Sequence, residues 1–178
     1  MYIILFRYLE NVRSVDENIH RIYEKIEAFY KYDNRTTYIV TSDHGHRDWG
    51  GHGNAESVLT RSPFIAWGAG IASPMASLVL DEDAQTWKLG STMRRDIQQV
   101  DISSILSASI GTPFPVNSIG KVPLNVFNVD NKTKSSMMMT NALQVFQQYQ
   151  RGLGLPLVFS SGKTFCRFDI GKNLACLF

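Results

Sequence analysis

A β-branched run that leads directly into a glycine- and histidine-rich stretch constrains the fold of this chain most. Residues 36–41 have the sequence Thr-Thr-Tyr-Ile-Val-Thr, which is too short for a stable helix and typical of a buried strand. The polar, glycine-rich residues 42–61 predict a loop. Residues 64–68, Phe-Ile-Ala-Trp-Gly, predict the next strand. The pattern therefore predicts two buried strands joined by a long polar loop.

A helix is predicted before the first strand, over residues 14–32. Ser14 and Glu17 have the spacing of a capping box, in which each side chain bonds a backbone amide of the first turn. Apolar side chains recur at steps of three and four residues, as they do on one face of a helix. These side chains are Val15, Ile19, Ile22, Ile26, Phe29 and Tyr30.

Two further helices are predicted after the second strand. The first covers residues 100–110 and ends at Gly111, because Pro113 and Pro115 prevent its continuation. The second covers residues 136–150. Its predicted apolar side consists of Met138, Ala142, Val145, Phe146 and Tyr149. Helices and strands in this order predict an α/β fold with a mostly parallel sheet flanked by helices.

Length and composition limit the chain to about one folded domain. It has 178 residues, of which 44% are hydrophobic and 19% are charged, as in globular proteins. The formal net charge of +2 is too small to predict a nucleic-acid partner. The uncharged residues 62–80 are the one candidate for a membrane span, but their prolines and glycines favour a strand and a loop. No transmembrane segment is therefore expected.

Three of the four histidines, His44, His46 and His52, fall within nine residues of the predicted loop. They follow the end of a predicted buried strand, which is where ligands bind in open α/β sheets. Neutral imidazole nitrogens and carboxylate oxygens are ligands that zinc and other divalent metals accept, and this loop offers both. The stretch therefore favours a metal site over the alternative, a solvated turn whose histidines are incidental.

The same loop carries a family resemblance. Ser42-Asp-His-Gly45, followed at short range by Gly51-His-Gly53, resembles the signature of the alkaline phosphatase superfamily. The resemblance implies a doubly wound α/β enzyme that uses two divalent metal ions, usually zinc, at the strand ends. Asp48-Trp-Gly50, between the two motifs, is similar to the corresponding stretch of the phosphoethanolamine transferases of GPI-anchor biosynthesis.

Stretches outside the loop agree with this resemblance. Residues 66–71, Ala-Trp-Gly-Ala-Gly-Ile, and residues 111–120, Gly-Thr-Pro-Phe-Pro-Val-Asn-Ser-Ile-Gly, are similar to the family pattern and occur in the same order. The resemblance covers residues 8–150, interpreted as the C-terminal part of the catalytic domain and hence as a partial alkaline-phosphatase-like domain. Residues 151–178 form an unassigned tail that contains both cysteines, Cys166 and Cys176, whose disulfide state stays open.

The resemblance implies specific roles at the site. Asp43 and His44 are expected to bind one metal ion, and His52 the other, with both imidazoles neutral. The implied reaction is a two-metal in-line displacement at phosphorus, with a threonine nucleophile and a covalent phospho-threonine-type intermediate. The implied donor resembles phosphatidylethanolamine, and the implied acceptor is the first mannose of a GPI precursor. Both would be used at the lumenal face of the endoplasmic reticulum membrane, where the sequons at Asn34 and Asn131 could be glycosylated.

The family pattern also contains groups that these residues do not supply. It places the threonine nucleophile and several metal ligands before Tyr8, and residues 1–7 contain no Asp, His or Thr. No residue of this chain is therefore assigned a catalytic role. With few protein ligands for each ion, metal binding is expected to be weak or partial. The chain on its own is expected to be catalytically incomplete, as a fragment of such an enzyme would be.

Side chains around the predicted ligands are expected to have other roles. His46, which with Arg47 replaces the Met-Thr of the family pattern, is expected to be exposed, and an extra metal ligand is the alternative. Asp48 is expected to be exposed ahead of a turn, with a bond to a ligating histidine as the alternative. Trp49 and Trp67 are expected to pack in the core or half-buried.

Two other interpretations stay open. Another enzyme of the superfamily, such as a sulfatase or a phosphodiesterase, would use the same loop, but residues 48–50 and 111–120 argue against it. The alternative from a different class is a catalytically inactive product or a metal-binding module, which the lack of an assigned nucleophile favours.

Overall fold

The computed structural model describes residues 2–76, 82–86, 88–90, 92–154, 165–169 and 172–177. The chain divides into two compact units, Met1–Ala69 and Gly70–Phe178. The first unit contains helix α1 (Tyr2–Phe29), strand β1 (Thr37–Thr41), helix α2 (Ser57–Thr60) and strand β2 (Phe64–Gly68). The second contains helices α3 (Glu82–Thr86), α4 (Asp101–Ile110) and α5 (Asn131–Gly152), a 3₁₀ turn (Leu124–Val126), and strands β3 (Phe165–Asp169) and β4 (Lys172–Leu177).

Helix α1 begins well before the predicted start. Residues 2–13 contain no proline or glycine, so nothing in their sequence stops the helix from extending toward Tyr2. Ser14 and Glu17 lie inside the helix and do not cap its start, which makes the predicted boundary wrong. A capping-box spacing marks a helix start only where the residues before it leave the helical conformation.

The packed face of α1 is narrower than predicted. Ile19, Tyr23 and Ile26 are half-buried and Glu27 is buried, at steps that place them on one stripe of the helix. A pair of short strands covers only this stripe. Four members of the predicted apolar face are instead more than half exposed, namely Val15, Ile22, Phe29 and Tyr30.

The α/β class is confirmed, and β1 and β2 match the two predicted strands in position. The prediction that they are buried is wrong, because their residues are half-buried or exposed. They pair antiparallel, with Thr37 opposite Gly68 and Thr41 opposite Phe64, and β3 and β4 also pair antiparallel. Among the described strands the expected parallel pairing is therefore not observed. A parallel pair needs a crossover that carries the chain back along the strands, usually a helix. Residues 42–63 instead form a loop with one four-residue helix, α2, and re-enter the strand pair at the end where β1 leaves it.

An aromatic cluster attaches α1 to the strand pair. Tyr38 and Trp67 stand opposite each other across the strands and stack with their ring centroids 5.1 Å apart. Tyr23 of α1 meets Tyr38 edge-on at 5.0 Å. The Tyr38 hydroxyl donates a 2.6 Å hydrogen bond to the buried Glu27, and desolvation together with this bond raises the pKa of Tyr38 to about 12. Trp67 thus packs half-buried, as expected.

Helix α4 agrees with the prediction over residues 100–110. Gly111 ends it in the left-handed conformation, with φ 68°, and its N–H bonds to the carbonyl of Ser107. The buried side of α4 combines apolar and small polar residues, and Ile105 and Ser104 have no exposed surface. The Ser104 hydroxyl is satisfied by a 3.0 Å hydrogen bond to the carbonyl of Gly120.

Helix α5 is longer than predicted and packs through a different face. It begins at Asn131 because the Asp130 carboxylate caps it and accepts a 2.9 Å hydrogen bond from the backbone N–H of Thr133. The buried residues of α5 are Met137, Asn141 and Gln150. The predicted apolar side is wrong, because all five of its members are exposed: Met138, Ala142, Val145, Phe146 and Tyr149.

Amide side chains, in place of apolar ones, join α5 to residues 115–122. Asn141 donates from Nδ2 to the Gly120 carbonyl at 3.1 Å and accepts the backbone N–H of Val122 at 3.0 Å. Gln144 donates to the carbonyl of Ser118 at 2.8 Å. Asn141 is only 6% exposed, so both of its bonds replace water that cannot reach these backbone groups.

The remaining predictions concern the membrane and the tail. No helix in the described part of the chain is long and apolar enough to cross a membrane. Within the former candidate segment, residues 64–68 form β2, and residues 77–80 lie outside the described residues. Helix α5 continues into the unassigned tail as far as Gly152, and β3 pairs with β4 so that Cys166 stands opposite Cys176 in the backbone register.

Replacing Asn141 with alanine is expected to destabilise the chain. The change leaves the buried N–H of Val122 without an acceptor, which costs about 1–3 kcal/mol for an unsatisfied buried group. Urea-induced unfolding measures this loss. Replacing Asn125, an exposed asparagine of the same unit, is the control and is expected to change stability by less than about 0.5 kcal/mol. Equal effects of the two variants would contradict a structural role for the Asn141 amide.

Candidate metal centre

The histidine loop, defined here as residues 42–56, connects the end of β1 to α2. The last residue of β1, Thr41, pairs with the first residue of β2, Phe64, so the connection starts and finishes at the same end of the strand pair. The Thr41 hydroxyl also donates a 2.9 Å hydrogen bond to the carbonyl of Pro63. The chain therefore leaves and re-enters the strand pair at one end. The predicted metal ligands lie in the loop beyond that end.

A close backbone contact at Gly45 folds the histidine loop against α2. The N–H of Gly45 donates a 2.8 Å hydrogen bond to the carbonyl of Leu59, a residue only 2% exposed. A Cβ atom at position 45 would collide with the carbonyl oxygen of Val58. Only glycine fits this contact without a shift of the backbone. The glycine of the first motif therefore sets the position of His44, its neighbour in the chain.

Three further glycines allow the loop to reverse direction. Gly50, Gly51 and Gly53 have φ angles of 97°, 99° and 90°, a region that residues with a Cβ atom rarely adopt. The N–H of Gly50 donates to the carbonyl of Arg47 at 3.0 Å and closes the turn. This reversal brings His52 back toward the start of the loop.

The structure places the three sequence-predicted ligands together. The imidazole rings of His44 and His52 stack, with centroids 4.3 Å apart and an interplanar angle of 26°. An oxygen of the Asp43 carboxylate lies 3.6 Å from Nε2 of His44. All three residues are exposed, so a metal ion can reach their donor atoms. The two histidines are eight positions apart in the chain, and the turn at Gly50 brings them into contact.

A backbone contact sets the tautomer of His44. Its Nδ1 lies 2.8 Å from the carbonyl oxygen of Gly45. A carbonyl oxygen only accepts hydrogen bonds, so Nδ1 must carry the proton in this contact. In the neutral imidazole the lone pair is then on Nε2, which lies 3.6 Å from an oxygen of the Asp43 carboxylate. The neutral ring would therefore offer a metal ion its Nε2 on the same side as the carboxylate, as a hydrogen bond to the other ring nitrogen does in metal sites.

The electrostatics of Asp43 favour an ionised carboxylate. The positive charge of protonated His44 has the largest effect in lowering the pKa of Asp43, and the backbone N–H of His44, which donates at 3.0 Å, lowers it further. The Ser42 hydroxyl adds a weaker contact at 3.4 Å. The bond from the backbone N–H persists when His44 is neutral, and it favours the ionised carboxylate that a metal ligand must be.

The prediction from sequence missed an ion pair that spans the loop. Arg47 donates from Nε to Oε2 of Glu56 at 2.9 Å and from Nη2 to Oε1 at 2.5 Å. Asn54 donates to the same Oε1 at 3.0 Å. The pair lowers the pKa of Glu56 and raises that of Arg47, mainly through these hydrogen bonds. Residues nine apart in a loop follow no helix or strand period, so the only signal in the sequence was their opposite charge.

Other side chains of the loop differ in part from expectation. His46 is exposed, as expected, and its ring lies 6.5 Å from that of His52 and 6.3 Å from that of Tyr8. Asp48 is also exposed, as expected. The expectation for Trp49 is wrong, because it is 74% exposed and contacts the Arg47 guanidinium, 5.9 Å from the ring centroid.

The donor chemistry fits a divalent metal such as zinc. One carboxylate and two imidazoles, with a free Nε2 on His44, are ligands of the right type. No group of three or more such residues is arranged to hold a single ion in the described part of the chain.

The structure is that of an α/β protein with a candidate divalent-metal centre. A carboxylate and two imidazoles lie beyond the end of β1, in a strand pair flanked by helices. Comparison with known families gives the class. The model of the sulfatase family matches residues 4–104, more than half of the chain. The chain belongs to the sulfatase family, within the alkaline phosphatase superfamily, and the superfamily resemblance of the loop motifs is confirmed.

Relatives narrow the comparison further. The chain is similar to GPI ethanolamine phosphate transferase 1 of Mus musculus, with 39% identity over 146 residues, and of Schizosaccharomyces pombe, with 38% identity over 144 residues. Each match covers 80% of this chain. The Homo sapiens protein of the same name is 36% identical over 165 residues, or 88% of this chain.

These matches cover most of this chain but only a small part of each relative. The chain spans only 15–18% of the length of these relatives. No solved structure matches the chain. The family is therefore established by sequence, while the activity of the whole relatives applies to this chain only as a proposal.

Replacing Gly45 with alanine is expected to displace the histidine loop. The added Cβ collides with the Val58 carbonyl, so the Gly45–Leu59 hydrogen bond must lengthen or break. We expect a lower midpoint of thermal unfolding and altered NMR chemical shifts of the His44 and His52 imidazoles. Replacing Gly152 with alanine is the control, since a Cβ there meets no atom within 4 Å. Unchanged imidazole shifts in the Gly45→Ala variant would contradict the role given to this contact.

Proposed function

We propose that this chain forms part of a phosphoethanolamine transferase, in which the histidine loop supplies ligands to two divalent metal ions, most simply zinc. One observation carries the proposal: Asp43, His44 and His52 come together at the end of β1 in a chain whose relatives are named GPI ethanolamine phosphate transferase 1. Neither the loop geometry nor the relatives' names alone would identify this activity.

The proposed roles divide the three ligands between two ions. Asp43 and His44 bind one ion, supported by the 3.6 Å approach of the carboxylate to Nε2 of His44. His52 binds the other ion, supported by the stacking of its ring on the His44 ring with centroids 4.3 Å apart. When bound, two such ions supply charge neutralisation at a phosphoryl group and activate an attacking oxygen.

The remaining groups of the loop hold these ligands in their reactive states. The contact between Nδ1 of His44 and the Gly45 carbonyl places a proton on Nδ1, so that in the neutral imidazole the lone pair is on Nε2. The backbone N–H of His44 donates to the Asp43 carboxylate and favours its ionised form. No residue of this chain is assigned as the nucleophile in this proposal, and the chain on its own is proposed to be catalytically incomplete.

The proposed substrates are those that the family resemblance of the loop implies, and the relatives' names support ethanolamine phosphate transfer to GPI. A phosphatidylethanolamine-like lipid is the proposed donor of the phosphoethanolamine group, and the first mannose of a GPI precursor is the proposed acceptor. The proposed location is the lumenal face of the endoplasmic reticulum membrane. Support comes from two exposed sequon asparagines, Asn34 in a turn and Asn131 at the start of α5, which are accessible to a lumenal glycosylation enzyme.

Zinc titration of the purified chain tests the proposed ligands. We expect weak binding that falls by about tenfold or more in both the His44→Ala and the His52→Ala variants, because each removes one of few protein donors. The His20→Ala variant, which removes an exposed histidine of α1, is the control and is expected to bind zinc as the unmodified chain does. Binding is also expected to weaken on acidification, since ligating imidazoles must lose their protons. Equal affinities of the His44→Ala, His52→Ala and His20→Ala variants would contradict the assignment.

A chimera tests the proposed reaction. Residues 8–150 would replace the matching segment of the mouse relative, in cells that lack their own enzyme of this type. We expect the chimera to add phosphoethanolamine to the first mannose of GPI precursors, detected by mass spectrometry. The same chimera with His52→Ala is expected to lose this activity, and the one with His20→Ala to keep it. A chimera that folds and reaches the membrane but modifies no mannose would overturn the proposed activity.

A further inference from the structure

The contact between Arg47 and Glu56 closes a ring within the histidine loop. We call Arg47, Asn54 and Glu56 together the loop clamp. The guanidinium makes two parallel hydrogen bonds to the carboxylate, the geometry that gives arginine–carboxylate pairs their directional strength. The Asn54 amide adds a third bond, to Oε1 of Glu56. The Arg47 side chain is only 22% exposed, which limits the competition from water.

The ring closed by the clamp contains one of the predicted ligands. Residues 47–56 include His52, and His44 lies three residues before Arg47. Gly51 and Gly53 flank His52 with positive φ angles, and they have no side chains that could pack and hold this stretch in place. Glycine has the largest backbone freedom to lose on ordering. A tie between side chains at the two ends of this stretch therefore restricts where His52 can lie.

The backbone bonds near Arg47 connect the clamp to the rest of the site. The N–H of Arg47 donates to the carbonyl of Gly51 at 3.3 Å, and the N–H of Gly50 donates to the carbonyl of Arg47 at 3.0 Å. On the other side, Glu56 accepts from the N–H groups of Leu59 and Thr60 through its own carbonyl and so begins α2. The clamp thus joins the turn beside His52 to the helix that fixes Gly45.

We infer that the Arg47–Glu56 pair is a positioning element that holds His52 against His44 and thereby sets the metal affinity of the loop. The inference deepens the proposed function, since it concerns the same metal ligands. The clamp touches no ligand atom and acts through the backbone of the loop.

Two measurements test the inference, one with metal and one without. The Arg47→Gln and Glu56→Gln variants are each expected to bind zinc about tenfold more weakly, the usual effect of removing a group that orients metal ligands. In the metal-free chain, both variants are expected to lose the nuclear Overhauser contact between the His44 and His52 rings. The double variant is expected to be no weaker than either single variant, because the two residues act as one pair.

Matched controls separate positioning from loss of charge or fold. Arg47→Lys keeps the charge but not the planar fork, and is expected to recover only part of the zinc affinity while the chain stays folded. Arg13→Gln removes an exposed arginine that pairs with Glu10 at 3.0 Å on α1, and is expected to change neither measurement. Zinc affinity and ring contacts that survive in both glutamine variants would overturn the inference. Failure of zinc to bind the unmodified chain would instead count against the proposed function, and the ring contact would still decide the inference.

Discussion

The close approach of Gly45 to the backbone of Val58 and Leu59 is the contact on which the candidate site depends. Strand β1 ends at Thr41, and the chain must return to Phe64 on the neighbouring antiparallel strand. Gly45 meets α2 on the way, because a residue without a Cβ can place its N–H within hydrogen-bond reach of Leu59. His44 is thereby fixed on one side of the contact, and the glycine-rich turn that carries His52 begins on the other.

Local signals in the sequence predicted some elements well and others poorly. The two β-branched and aromatic runs became β1 and β2, and Gly111 ended α4, because each of these outcomes depends on a few adjacent residues. Apolar periodicity identified helices but misjudged their buried faces. In α5 the buried face carries Met137 and Asn141, and Asn141 and Gln144 bond to backbone groups of residues 118–122, while the predicted apolar side is exposed. Which side of a helix is covered depends on its neighbour, and no pattern within the helix reports that.

In the candidate site, too, some features were predictable from adjacent residues and others depend on how the chain folds. The family motif predicted Asp43, His44 and His52 as a group, and the structure brings the two imidazoles to a centroid distance of 4.3 Å. The antiparallel return of the chain and the Arg47–Glu56 pair were not predictable, since both depend on how a glycine-rich loop closes in three dimensions. Trp49 was misjudged for the same reason: its exposure follows from the direction of the turn, whereas its residue type favours burial.

The most direct test of the metal assignment is nitrogen NMR of the four imidazoles as zinc is added to the chain. The structure predicts that Nδ1 of His44 keeps its proton, bonded to the Gly45 carbonyl, while Nε2 of His44 takes the shift of a metal-bound nitrogen. A ring nitrogen of His52 is expected to shift with it, and the nitrogens of His20 are expected not to move. A chain in which zinc moves His20 or His46 while His44 and His52 stay unchanged would contradict the account.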